Sequence, residues 1–191
     1  MRHASKKSVF EVLRKLGIAV VIDIGVERST ASLIEAFPDA HHVLIESDPK
    51  WIPSYEHTYS GVSFEAHNFE ASEIRRVDEL CESVAGPILL KIDVDGQEMA
   101  CLRGCLGLYD RVSAVVIEST IDRICDTIAF LEQNAFRLFD IVDICYCGPQ
   151  LHQVDLVFVR KCVESIVRVE WDISLFQDSS LLDHQFSLRE E

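Results

Sequence analysis

The sequence predicts a doubly wound α/β sheet, mostly parallel, with an antiparallel last strand. Three observations carry that reading. Short β-branched runs alternate with segments of helical apolar spacing, the pattern of successive βα units. Several of these runs end in acids and turn residues, as at Asp23-Ile24-Gly25, Glu46-Ser47-Asp48-Pro49 and Asp93-Val94-Asp95-Gly96. The last two runs are joined through Cys147-Gly148-Pro149-Gln150 with no helix between them, a hairpin-like connection that makes the final strand reverse direction.

Taken in order, apolar residues at 9, 10, 12, 13 and 16 give a helix with Ser8 as its N-cap, ended by Gly17. Ile18 to Ile24 is a buried strand, and Ser29 or Thr30 caps a helix through Phe37. His42 to Glu46 is the second strand, Trp51 to Tyr55 a short helix, and Val62 to His67 an edge-like strand. Ser72 to Val84 follows as helix. Pro87 to Asp93 is a strand buried on both faces. Gln97 to Leu108 is helix, Ser113 to Glu118 strand and Asp122 to Asn134 helix, before the closing strands Phe136 to Ile144 and His152 to Arg160. Residues 1–160 are expected to form one α/β domain, with 161–191 as its C-terminal extension or a surface tail.

Composition narrows the partners. At 191 residues and 48% hydrophobic, the chain suits one compact domain. Its net charge of −14 repels phosphate backbones and acidic membrane surfaces, so neither nucleic acid nor a membrane is an expected partner. No apolar run reaches transmembrane length, and the basic stretch Met1 to Ser8 leads into no signal-peptide core. A cytoplasmic location is expected. The seven cysteines are odd in number and scattered, which suggests reduced, mostly buried thiols. Cys145-Tyr146-Cys147 with His152 fits no standard zinc spacing, so no metal is expected.

Ligands of open α/β sheets sit beyond the carboxyl ends of the strands. There the sequence places Asp23 and Gly25 after the first strand, where a nucleotide-like cofactor meets backbone and helix N-terminus. Glu46 ends the second strand 21 residues after Gly25, the spacing at which an acid accepts both ribose hydroxyls. Asn68 and Phe69 offer a polar contact and a stacking face for adenine. Asp93 closes the fourth strand and Glu118 the fifth. Asp95, next to Gly96, reads as a structural acid for the following helix start. Lys91 lies inside an apolar strand, where an ammonium must snorkel or pair with a carboxylate. His67 and His152, at strand ends, are further candidates for a base. Trp51 reads as packing.

The motifs Val21-Ile22-Asp23-Ile24-Gly25, Leu44-Ile45-Glu46 and Val77-Asp78-Glu79-Leu80 resemble the FkbM-type family of S-adenosylmethionine-dependent methyltransferases. The most specific match is Lys91-Ile92-Asp93-Val94-Asp95-Gly96-Gln97-Glu98, followed by Leu102-Arg103-Gly104. The similarity runs over roughly residues 18 to 160, and the reversed last strand suits the Rossmann-like class I methyltransferase sheet. The resemblance implies methyl transfer from S-adenosylmethionine to a hydroxyl of a small molecule or sugar, without a metal. It implies that Asp23 and Gly25 line the methionine part of the cofactor, that Glu46 holds the ribose and that Asp93 borders the acceptor. Asp93 is then the expected general base.

The alternative is a non-catalytic relative serving as a binding or assembly protein. It rests on the loop Gly25-Val26-Glu27-Arg28-Ser29-Thr30, which lacks the family's further glycines, and on the short stretch from Glu46 to Val77. A nicotinamide-dependent dehydrogenase would need the absent Gly-x-Gly-x-x-Gly.

Overall fold

A computed structural model of the chain describes residues 5–28, 30–69 and 77–167. Seven strands form one sheet in the order β3-β2-β1-β4-β5-β7-β6. They are β1 (Val20–Ile24), β2 (His41–Glu46), β3 (Ser63–Asn68), β4 (Ile88–Ile92), β5 (Val112–Thr120), β6 (Phe136–Cys147) and β7 (Gln150–Arg160). β1 to β5 pair in parallel, and β7 inserts antiparallel between β5 and β6. The expected architecture is present, including the reversed last strand and β3 at an edge.

β1 and β4 are buried at every residue, as their unbroken apolar runs require. Alternate side chains therefore feed two different cores. Ile22, Ile24, Leu90, Ile92, Val115 and Ile117 face α4 (Val77–Leu80), α5 (Glu98–Gly104) and α6 (Ile124–Gln133). Val21, Leu89, Ala114, Val116 and Val157 face α1 (Lys6–Leu13), α2 (Ala31–Ala36) and α7 (Glu164–Val167). α3 (Ile52–Thr58) adds a third cluster, in which Tyr55 and Tyr59 pack on Leu44 and Val26.

The helix ends differ from expectation in instructive ways. α1 is capped by Ser5, whose side chain takes the Ser8 amide while the Ser8 hydroxyl takes the Ser5 amide, a reciprocal capping box. Ser8 is thus the third helical residue and not the N-cap, which is Ser5. A short 3-10 turn, Arg14–Leu16, stops at Gly17, which is left-handed at φ 64°. Thr30 precedes α2 but makes no side-chain cap, and Ser29 lies outside the described residues, as does the 72–76 part of the expected helix before β4. α5 ends early at Gly104, and its expected last turn is the 3-10 segment Leu106–Leu108.

Cys81, Cys101 and Cys105 are buried, but Cys125, Cys145, Cys147 and Cys162 are exposed, so burial of most thiols is not observed. The exposed ones sit on α6, on β6 of the closing hairpin and in the turn after β7, where one side is left to solvent. Among the described residues no helix is long and apolar enough to cross a membrane. The chain beyond Arg160 continues into α7, where Val167 joins the second core, and 168–191 lie outside the described residues.

Candidate active site

A cavity of about 790 Å³ opens beyond the carboxyl ends of β1, β2 and β4. Gly25, Glu46, Phe69, Lys91 and Asp93 line it; Asp23 and Asn68 do not. Each of these positions follows from how its strand ends.

Gly25 leaves β1 with φ 81°. A Cβ there would stand 1.7 Å from the Asp93 carbonyl oxygen, so no side chain can be accommodated. The ends of β1 and β4 come together only because this residue is glycine.

Glu46, 5% exposed, is held by backbone dipoles. One carboxylate oxygen accepts the Glu27 amide at 2.7 Å and the other the Asp48 amide at 2.8 Å. The Asp48-bound oxygen also accepts the Ser47 hydroxyl at 3.4 Å, so the Glu27-bound oxygen is the one that keeps a second acceptor site for a ligand hydroxyl. The loop after Gly25 takes a left-handed residue where glycine would be easiest, Glu27 at φ 49°. Two buried tyrosines brace it. The Tyr55 hydroxyl donates to the Glu27 carbonyl at 2.8 Å, and the Tyr59 hydroxyl accepts the Thr30 amide at 3.4 Å.

Asn68 and Phe69 separate in role. The Asn68 amide donates to the carbonyls of Glu46 and Ser47 at 2.9 and 3.0 Å, tying the end of β3 to the turn after β2. Phe69 reaches the cavity wall. Trp51, read from sequence as packing, also lines the cavity, with the Arg28 guanidinium 5.5 Å and the Lys50 ammonium 4.8 Å from its ring centroid.

The floor is ionic. Asp23, 1% exposed, points beneath the cavity and pairs with Lys91 at 3.1 Å. The same ammonium lies 3.3 Å from Asp93 and donates to the Gly25 carbonyl at 3.2 Å. Burial pushes Lys91 down, but Asp23 and Asp93 together outweigh it and hold the ammonium above its ordinary value. Lys91 is therefore a fixed positive charge, paired as its place in an apolar strand demands, and not a base. Burial likewise pushes Asp93 up, yet Lys91, a hydrogen bond from Glu118 and the nearby Lys6 hold it below the usual carboxylate range. Glu118 is pushed up to about 7, by burial first and then by its hydrogen bond and proximity to Asp93.

Asp95 does not cap the next helix. It takes φ 44° and lines the cavity, while the Glu98 carboxylate accepts the Gly96 amide at 2.7 Å. His67, beside Glu65, and the exposed His152 are not among the cavity's lining residues. Among the described residues no group of three or more His, Cys, Asp or Glu is placed to hold a metal ion.

Sequence reasoning missed Tyr55, Tyr59, Trp51 and Lys6. The tyrosines, one on α3 and one at its C-terminal end, reach the loop from 28 or 29 residues away, a distance at which periodicity carries no signal.

No family model matches the chain, and no curated protein matches it. Solved structures do. An rRNA methylase from Streptococcus thermophilus superposes with a TM-score of 0.57 at 12% identity, over 84% of this chain and 98% of that one. An N-methyltransferase from Bradyrhizobium japonicum gives 0.54 at 14% identity, over 81% and 94%. Magnesium protoporphyrin IX methyltransferase from Synechocystis PCC 6803, solved with bound SAM, gives 0.53 at 13% identity, over 81% and 77%. With its strand order and reversed β7, the chain has the Rossmann-like class I methyltransferase fold.

Proposed function

We propose that this chain transfers a methyl group from S-adenosylmethionine to a hydroxyl oxygen of a small molecule or sugar. The observation that carries the reading is the cavity itself. In a class I methyltransferase fold, it brings a side-chain-free Gly25, a ribose-competent Glu46 and an ionised Asp93 to one space. Its volume lies in the range of cofactor and small-ligand sites.

The residues present fit S-adenosylmethionine. Glu46 would hold the ribose hydroxyls, Phe69 offers a ring face to the adenine, and the Gly25 backbone would border the methionine part. Bound there, the cofactor supplies an electrophilic methyl group. The protein aligns donor and acceptor and excludes water. Asp93 accepts a hydrogen bond, then the proton, from the acceptor hydroxyl. Asp23 acts from below, holding Lys91.

One observation favours the second reading, a non-catalytic binding or assembly protein: the cofactor loop carries Glu27 in a glycine-favoured conformation. Thermal unfolding with S-adenosylmethionine, S-adenosylhomocysteine and NAD separates the two. A ligand at about 100 times its dissociation constant adds about 2.7 kcal/mol, a rise of roughly 5–10 °C at this size. A rise with both S-adenosyl compounds and none with NAD is expected. No rise at millimolar ligand would favour the non-catalytic reading.

A further inference from the structure

The face of the sheet covered by α1 and α2 carries its charges in two levels. In the lower one Asp23 of β1 stands directly opposite Lys91 of β4. One step toward the carboxyl edge, Glu118 of β5 stands opposite Asp155 of β7. The β4–β5 register, Ile92 with Ile117, sets Asp93 beside Glu118 on the other side. Three carboxylates thus occupy three adjacent strands on one face, at cross-strand spacings of about 5 Å.

Countercharge reaches only the two outer ones. Lys91 serves Asp93 at 3.3 Å. Lys6, projecting from the first turn of α1, pairs with the buried Asp155 and, at 3.4 Å, with Asp143. Among the described residues no lysine or arginine forms an ion pair with Glu118, which faces Asp93, Asp155, Asp95 and Glu98. Two cations leave three adjacent carboxylates with excess negative charge, which pushes the middle one, hydrogen-bonded to Asp93, toward holding a proton.

We infer that Asp93 and Glu118 form a single proton-holding unit in which Glu118 is the positioning residue that sets the basicity of Asp93. While Glu118 is protonated, its hydrogen bond stabilises the Asp93 carboxylate and makes it a poor acceptor. Once Glu118 ionises, that bond is lost and a like charge stands beside Asp93, which becomes a stronger base. The pair then begins proton abstraction with no proton and ends with one, taken from the acceptor hydroxyl. The link to the acceptor rests on the methyl-transfer reading; the shared proton does not. Glu118 does not line the cavity, so it acts through Asp93.

The test is carbonyl-detected NMR titration of Asp and Glu side chains in 13C-labelled full-length protein, from about pH 5 to 9. One carboxyl midpoint near pH 7 is expected in the wild type, absent from Glu118→Gln and moved down toward the ordinary glutamate range in Asp93→Asn. A wild type with no carboxyl titrating between roughly pH 6 and 8 would overturn the inference. So would a midpoint unmoved in Asp93→Asn. If Glu118→Gln does not fold, the wild type and Asp93→Asn decide alone. Thermal shifts with S-adenosylmethionine on the same samples keep the two claims apart. A shared proton without a shift sinks only the methyl-transfer reading, and a shift without a shared proton sinks only this inference.

Discussion

The two ends of the cavity bury charge by opposite means. At the β2 end, Glu46 is satisfied by the amides of Glu27 and Asp48, dipoles fixed in the backbone. At the β4 end, Lys91 is shared between Asp23 and Asp93, and Asp93 in turn faces Glu118, whose carboxyl is pushed up to about 7. A carboxylate held by fixed amides keeps its oxygens in place to orient a ligand. A carboxylate held by other ionisable groups changes charge when its neighbours do, as a site of proton transfer requires. The cavity is held by backbone dipoles where a cofactor would be gripped and by titratable side chains where chemistry would occur.

Substitutions can break this contrast, and the largest effect belongs to the residue both ends share. Gly25→Ala places a methyl group 1.7 Å from the Asp93 carbonyl oxygen at φ 81°. Backbone on both sides must move. We expect a loss of about 5 kcal/mol or more, seen in denaturant unfolding, with the cavity lost even where the chain still folds. A stable Gly25→Ala protein with unchanged ligand response would mean that β1 and β4 do not meet as described.

Next comes Lys91→Met, which strips the cation from two carboxylates and leaves Asp23 buried and unpaired. Breaking such a pair from one side costs about 3–5 kcal/mol. The double variant Asp23→Asn/Lys91→Met removes both charges and should recover a large part of that loss. If the double variant is no more stable than Lys91→Met alone, the ion pair is not what Lys91 provides.

The same contrast explains what the sequence could show. The succession of strands along the chain, the reversed β7 and the acids at strand ends are written in local runs such as Val20–Ile24 and Ile88–Ile92, whose burial sets them apart from any surface helix. Gly25, Glu46 and Asp93 were legible because each sits at a fixed offset from such a run. Asp23 lies one level lower than its position at the strand end suggests: alternation along β1 sends it under the cavity, and only the β1–β4 register reveals Lys91 as its partner. Asn68 and Phe69 are neighbours whose side chains part at the strand end, one to the β2 turn and one to the cavity. Trp51, Tyr55 and Tyr59 lie on or at the ends of α3, whose pattern signals packing, and nothing local says that they face a loop.

Tyr55→Phe sharpens the cofactor end. It removes the hydroxyl that holds the Glu27 carbonyl while keeping the ring that packs against Tyr59, 5.8 Å away edge to face. One buried hydrogen bond is worth about 1–1.5 kcal/mol. Because Glu27 is already in a conformation that favours glycine, the loop should loosen, and the thermal rise given by S-adenosylhomocysteine should shrink more than stability itself. Equal losses in both would mark Tyr55 as a packing residue only.

The smallest effect is expected from pH acting on Glu118. Its folded value of about 7 lies above its unfolded value of 4.5, so between these limits the folded chain binds more protons than the unfolded one. Stability from this group is complete below about pH 4.5 and falls as pH rises to about 7, where the slope ends. The side chain is half-exposed, so after solvent screening the change should be about 1 kcal/mol or less. Asp93 has the opposite sign. Its depressed value gives stability that is present above the ordinary carboxylate range and lost only in acid, below the window in question. The two contributions therefore separate along the pH axis. Chemical denaturation at half-unit pH steps should show the neutral-range decline in the wild type and a flatter profile in Glu118→Gln. An identical slope in both would assign the decline to other groups and leave Glu118 an ordinary surface acid, removing the titratable half of the contrast.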